Sequence, residues 1–207
     1  DHRIQMPEVI GHEGAGAIAK LGSKVSGYAE GDRVAVMPIV SCGECRACRD
    51  GFYHVCQKLQ IIGIERPGAM QSYWTVPAAN LFRVPDSLTM EHAALIEPTA
   101  VAVHDVRMAD LRAGEYAIVL GGGPIGALIA LVARQKGARV LITEINPFRI
   151  QMLRGLGFEV VNPREDKWVD HVLAATGGAG ADVVFEVTGV AAGAEMMTQA
   201  LRSRGRV

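Results

Sequence analysis

Residues 116–126 read Tyr-Ala-Ile-Val-Leu-Gly-Gly-Gly-Pro-Ile-Gly. The apolar run Ala117–Leu120 has strand character, and it enters Gly121-Gly-Gly123-Pro124-Ile125-Gly126, a G-x-G-x-x-G pattern that opens a helical run to Gln135. Each glycine has its own task in such a turn. Gly121 permits the tight reversal, Gly123 lets the backbone approach a pyrophosphate, and Gly126 lets the helix pack closely on the strand. The helix N-terminus, which begins at Pro124 and Ile125, then faces the phosphates. In a chain with 24 glycines the pattern alone would carry little; the strand–turn–helix setting gives it weight.

The alternation continues in both directions. Strands are predicted at Ala117–Leu120, Arg139–Thr143, Glu159–Val161 and Asp182–Glu186, and helices at Ile125–Gln135, Pro147–Leu156, Asp166–Ala175 and Ala191–Arg202. That order implies a doubly wound parallel sheet covered on both faces. The second strand ends in Glu144, eighteen residues beyond Gly126. A carboxylate there accepts hydrogen bonds from ribose hydroxyls and repels a 2′-phosphate, which favours NAD over NADP. Arg149 nearby acts the other way, as a group able to accept that phosphate, and a solvated loop carboxylate is the plainer reading of Glu144. Thr188-Gly189 follows the fourth strand, where it would either line the cofactor crevice or form an ordinary strand-end turn.

Before residue 105 the pattern differs. Gly14–Lys20, Arg33–Met37 and Tyr73–Val76 are short β-prone runs between Gly, Pro, Asn and Asp signals, and a helix with proline in its first turn begins at Pro98. Two domains are expected, 1–105 and 106–207, from a length of 207 residues that by itself leaves one or two open. The chain is 49% hydrophobic and 21% charged, which excludes disorder, and its net charge of −1 argues against a nucleic-acid binder. Tyr116–Ala133 lacks charge over eighteen residues, but the glycines and Pro124 divide it, so no membrane span is expected. No leader pattern opens the chain at Asp1, and neither end has the look of a domain edge; an internal fragment is expected.

The four cysteines all fall in Cys42-Gly-Glu-Cys45-Arg-Ala-Cys48 and Cys56. Two thiolates separated by two residues on a tight turn converge on one ion, and four complete a tetrahedral zinc shell with no open position, hence a structural site. A disulfide pair lacks any sign of secretion. A ferredoxin-like cluster would place its fourth cysteine three residues on, before proline, whereas Cys56 follows after seven and precedes Gln57. A zinc knuckle for nucleic acid needs a basic patch, and Arg46, Arg49 and Lys58 against Glu44 and Asp50 leave only +1.

Gly11-His12-Glu13-Gly14-Ala15-Gly16 sets His and Glu side by side. On a regular strand the two would face opposite ways, but a glycine-flanked bulge would let both reach one ion; alternatively His12 ligates and Glu13 supports it. Taken alone, the pair is more often structural. Glu97, before Pro98, is biased to an extended conformation at a helix entrance, where its plain reading is a favourable charge near the positive helix end. His2, His54, His92, His104 and His171 lack such a setting and read as surface or packing residues.

In order, Gly-His-Glu, a four-cysteine lobe, Glu-Pro and the glycine fingerprint with its acid resemble the zinc-dependent medium-chain dehydrogenases, in the sorbitol, butanediol and threonine dehydrogenase branch. The resemblance covers essentially the whole chain. It implies a truncated GroES-like β-rich catalytic domain followed by a truncated Rossmann domain, with the active site in the cleft between them. It also implies that His12 is a catalytic zinc ligand, that Glu13 and Glu97 are further ligands or exchange with water on the metal, and that the cofactors are zinc and NAD. The family's first catalytic ligand is a cysteine upstream of Gly-His-Glu beside a Ser or Thr proton relay; here all four cysteines are needed for the lobe. The chain as given is therefore expected not to complete the site. For the parent protein the expectation is hydride transfer between a polyol or secondary alcohol and NAD in a cytoplasmic homodimer or homotetramer, with no nucleic-acid or membrane partner. The rival readings are a quinone-reductase-like enzyme without catalytic zinc and a non-catalytic scaffold using the lobe.

Overall fold

The computed structural model describes residues 8–207, so His2 lies outside the described residues. The chain divides into two compact units, the first ending at Glu97 and the second running from Pro98 to Val207. This division and the expected boundary near residue 105 fall within one helix, Ile96–Met108.

In the first unit, β1 (Ala15–Ala17), β2 (Arg33–Val36) and β5 (Leu81–Arg83) form an antiparallel sheet in the order β1-β2-β5. A second ladder pairs β3 (Ile39–Val40) with β4 (Gln60–Ile61). Buried Asn80 joins the two, donating its side-chain amide to the carbonyls of Met37 and Ile39 at 2.7 and 2.8 Å. Between β3 and β4 lies the cysteine lobe with its one-turn helix α1 (Arg46–Arg49), and α2 (Met90–Ala94), capped by Thr89, packs Ala93 against Ala35 and Val84. The β-prone run at 73–76 forms no strand. Strand propensity is expressed only where a neighbour supplies a ladder, and this run has none.

In the second unit, β6 (Tyr116–Leu120), β7 (Arg139–Thr143), β8 (Glu159–Val161), β9 (Ala181–Glu186) and β10 (Leu201–Arg206) make a parallel sheet in the order β10-β9-β6-β7-β8. Alternation along β6 shows why both faces must be covered. Ala117 and Val119 enter one core with Ile129, Ala133, Ile142 and Leu153, while Tyr116, Ile118 and Leu120 enter the other with Leu141, Val172 and Val184. The helices over those faces are α3 (Ile96–Met108), α4 (Pro124–Gln135), α5 (Pro147–Gly155), α6 (Trp168–Ala175) and α7 (Ala191–Met196). The expected helix Ala191–Arg202 is a correction: α7 stops at Met196, and Leu201 onwards pairs with β9. Ala, Met, Gln and Leu favour helix locally, but a parallel partner at the sheet edge overrides that preference. No helix among the described residues is long and apolar enough to cross a membrane.

Asp182 ties the lower edge of the sheet together. Its carboxylate accepts the Tyr116 N–H at 2.7 Å and the Arg202 Nε–H at 2.6 Å. Burial pushes this carboxyl up, but the Tyr116 amide and Arg202 outweigh it and leave it below the usual range. A carboxyl depressed by folding stabilises the fold above its unfolded pKa of about 4 and loses that contribution as pH falls through the folded value. Asp182→Ala should cost about 1–3 kcal/mol near neutral pH, and the gap to the parent in urea unfolding should narrow as pH falls below about 4. At Gly126 a Cβ would stand 2.0 Å from the Gly121 carbonyl oxygen. Gly126→Ala should therefore destabilise by about 1–3 kcal/mol in the same assay, because the turn must shift to admit one methyl.

Candidate active site and metal centres

The four thiols converge. Cys45 Sγ is 3.4 Å from Cys48 Sγ and 4.0 Å from Cys56 Sγ, and Cys42 Sγ is 3.5 Å from Cys56 Sγ and 4.0 Å from Cys48 Sγ. A tetrahedron with zinc–sulfur bonds of about 2.3 Å has edges of about 3.8 Å, so the spacing fits one zinc ion. The Sγ atoms of Cys42 and Cys56 also accept backbone N–H groups, from Cys45 at 3.4 Å, and from Cys42 and Lys58 at 3.3 Å. These donors favour thiolate. The backbone amides of Gln57 and Cys48 bring Cys45 down to about 6, and that of Cys42 lowers Cys56, whereas burial pushes Cys48 up to about 12. Four adjacent thiols do not all ionise without a cation between them, so metal entry is coupled to proton release.

The second cluster lies at the Gly11–Glu13 turn. Gly11 is in the left-handed region at φ +95°, and residues 11–14 precede β1 rather than lying on it. The alternation that would set His12 and Glu13 on opposite faces therefore does not apply. The turn is held from behind by residues 68–70: the N–H groups of Gly68, Ala69 and Met70 bond to the carbonyls of Val9, Gly11 and Ile10. A Cβ at Gly63 or Gly68 would come within 2.3 or 2.2 Å of the Gly11 carbonyl oxygen. Those two supporting glycines belong to no motif of the sequence; their one local signal is that Gly63 and Gly68 flank the Ile-Glu-Arg-Pro turn. Glu97 reaches the cluster from the first turn of α3, and ligand atoms of His12, Glu13 and Glu97 all lie within 4.8 Å of one another. Burial pushes the Glu97 carboxyl up, and Glu13 adds to the effect while His12 opposes it. Two carboxylates and an imidazole converging in this way form a nitrogen–oxygen donor set suited to a divalent cation. Among the described residues no other histidine joins a donor cluster.

In the second unit the fingerprint adopts the expected tight turn, with Gly121 at φ +101° and Gly123 immediately before α4. A Cβ at Gly123 would meet nothing nearer than Arg149 Nη1 at 3.9 Å, so the helix start faces open space. Such an open helix N-terminus fits a pyrophosphate. Glu144 is buried rather than solvated. One oxygen accepts the Gly122 N–H at 3.0 Å, and the other accepts those of Ile145 and Asn146 at 2.7 and 2.9 Å. Burial would raise this carboxyl, but the three amides and Arg149, 3.6 Å away, hold it below its ordinary value. Thr188 borders the same turn: a Cβ on Gly121 would lie 3.1 Å from Thr188 Cγ2.

Comparison with known proteins agrees with both halves. Residues 1–86 match the alcohol dehydrogenase GroES-like domain, and residues 124–207 match the zinc-binding dehydrogenase domain. The chain belongs to the zinc-dependent medium-chain dehydrogenases. Among these dehydrogenases, a 2-dehydro-3-deoxy-L-galactonate 5-dehydrogenase from Pseudoalteromonas atlantica is 46% identical over 207 residues, covering all of this chain and 61% of the relative. An L-threonine 3-dehydrogenase from Deinococcus radiodurans is 39% identical, over 99% of this chain and 59% of its own. A Sinorhizobium meliloti 1021 protein crystallised with NADP superposes with a TM-score of 0.91 at 33% identity, over 98% of this chain and 60% of that one. The chain thus spans about 60% of the length of the medium-chain dehydrogenases it matches. Zinc and a nicotinamide are the groups this dehydrogenase family takes, and the donor sets above fit them.

The lobe offers a direct test. Zinc-loaded protein should present no thiol reactive to an aromatic disulfide, and chelation should expose four. Cys48→Ser should lower zinc content by about one ion per chain in elemental analysis, since three thiolates and a hydroxyl bind the ion far more weakly.

Proposed function

We propose that the protein oxidises a secondary alcohol or polyol with NAD at a zinc ion held by His12, by one or both of Glu13 and Glu97, and by the further cysteine ligand that the family resemblance implies. The observation that carries this reading is the convergence of those three side chains on one point, in a chain whose second unit also carries the dinucleotide turn. When bound, zinc would supply Lewis acidity at the alcohol oxygen, and the nicotinamide would accept the hydride. His12 contributes a nitrogen donor and Glu97 a half-buried carboxylate, and the glycines behind the turn fix both. Oxidation releases one proton with the hydride, and Glu13 is the exposed member of the cluster. Cys42, Cys45, Cys48 and Cys56 hold a second, structural zinc.

In the second unit Gly121, Gly123, Pro124, Ile125 and Gly126 form the pyrophosphate cradle, with Thr188 at its border. Glu144 supports NAD, because a 2′-phosphate would meet a carboxylate held in its ionised form, and Arg149 reduces that penalty. The relative crystallised with NADP makes the preference worth measuring. The two relatives act, by their names, on a dehydro-deoxy-galactonate and on L-threonine, both consistent with a hydroxylated small-molecule substrate. A cytoplasmic location belongs to the same reading: four unpaired thiols stay free for a metal in a reducing compartment. A homodimer or homotetramer accompanies it by resemblance to the family.

The test is an assay of NADH formation by the full-length protein on polyols, secondary alcohols and hydroxy acids. Activity should vanish on zinc removal and return on reloading, and Glu97→Ala should lower kcat/KM by about 10–100-fold. Turnover that persists after complete zinc removal would overturn the assignment in favour of a zinc-independent reductase.

A further inference from the structure

Glu186, the last residue of β9, is a half-buried carboxylate at the carboxyl end of the parallel sheet, where open α/β sheets bind their ligands. No ion pair to it is present among the described residues. Its partner is the next turn of its own chain. Glu186 Oε1 accepts the Thr188 N–H at 2.7 Å and also the Thr188 hydroxyl. With that proton committed, the hydroxyl oxygen accepts the Val190 N–H at 3.3 Å. The turn 186–190 is thereby fixed at both ends by one carboxylate and one hydroxyl.

Two neighbours make this pair more than a local turn. On one side, the Thr188 backbone N, Cα and Cγ2 lie 3.1–3.5 Å from where a Cβ of Gly121 would be, so Thr188 walls the dinucleotide turn. The Val187 N–H also bonds to the Leu120 carbonyl at 3.1 Å, just before that turn. On the other side, a Cβ at Gly193 would stand 2.0 Å from Thr188 Oγ1 and 2.4 Å from Glu186 Oε1, so α7 admits only glycine over the pair. We infer that Glu186 is a positioning residue for the nicotinamide cofactor: it holds Thr188 against Gly121, and Gly193 leaves the room it needs. The residue acts through Thr188 and makes no contact with the reacting atoms. This inference rests on the reading that the second unit holds a nicotinamide, and the experiment separates the two.

NADH binding by the full-length protein should be measured by titration, together with steady-state kinetics. Glu186→Ala and Thr188→Val should each raise the NADH Kd and the NAD KM about tenfold, the effect of losing a charge-assisted hydrogen bond. Their kcat should stay within about twofold of the parent, as expected when binding rather than the transition state is affected. The conservative variants Glu186→Gln and Thr188→Ser keep an acceptor and a hydroxyl and should lie within about threefold of the parent, whereas a general loss of packing would not be rescued this way. Gly193→Ala, which displaces both side-chain ends, should reproduce the high-KM behaviour. A parent that binds NADH while Glu186→Ala and Thr188→Val bind it equally well would overturn the positioning role alone. A parent with no NADH binding would overturn the cofactor reading and this role together.

Discussion

A buried carboxylate at the end of β7 sets the geometry on which the second unit depends. Glu144 is buried, so its charge must be satisfied by donors within the protein, and it takes N–H groups from Gly122, Ile145 and Asn146. The first donor belongs to the glycine turn after β6, and the other two lead into α5. One side chain therefore joins the ends of two adjacent strands and fixes where α4 begins. The close approach of Gly126 to the Gly121 carbonyl completes the turn, because a side chain there would push helix and strand apart. The open space before Pro124 is the consequence of these two constraints.

The first unit solves a similar problem with glycine alone. A histidine and a glutamate adjacent in sequence reach one point only if the backbone leaves the pleated geometry, and Gly11 does so at φ +95°. Gly63 and Gly68 then let a second segment press against the Gly11 carbonyl and hold the excursion in place. The cysteine lobe is anchored differently, by amide-to-sulfur bonds that bias its thiols towards thiolate before any ion arrives. Both centres are thus shaped by the backbone before a metal enters, which is the condition for binding without a large ordering cost.

Much of this was legible in the sequence where a residue type has few alternatives. Four cysteines at C-x2-C-x2-C-x7-C spacing, and glycines between an apolar strand and an apolar helix, each admit few geometries, and the parallel strands are readable because both their faces are buried. Less legible were the elements whose pattern is shorter than its own period. β3 and β4 have two residues each, too few for alternation to register. β10 follows a helix-favouring stretch, and only its partner β9 reveals it as a strand. At the sites, the inward turn of Glu144 and the Glu186–Thr188 pair depend on contacts between segments far apart in sequence or on a clearance that only Gly193 provides, so no local signal announces them.

We propose that one divalent ion sits among His12, Glu13 and Glu97 while another fills the lobe. Anomalous diffraction at the zinc edge from crystals of the full-length protein tests it most directly. Two peaks, one enclosed by Cys42, Cys45, Cys48 and Cys56 and one within bonding distance of His12 and Glu97, are the predicted result. A single peak at the lobe, with the His12 cluster empty in zinc-replete crystals, would contradict the account.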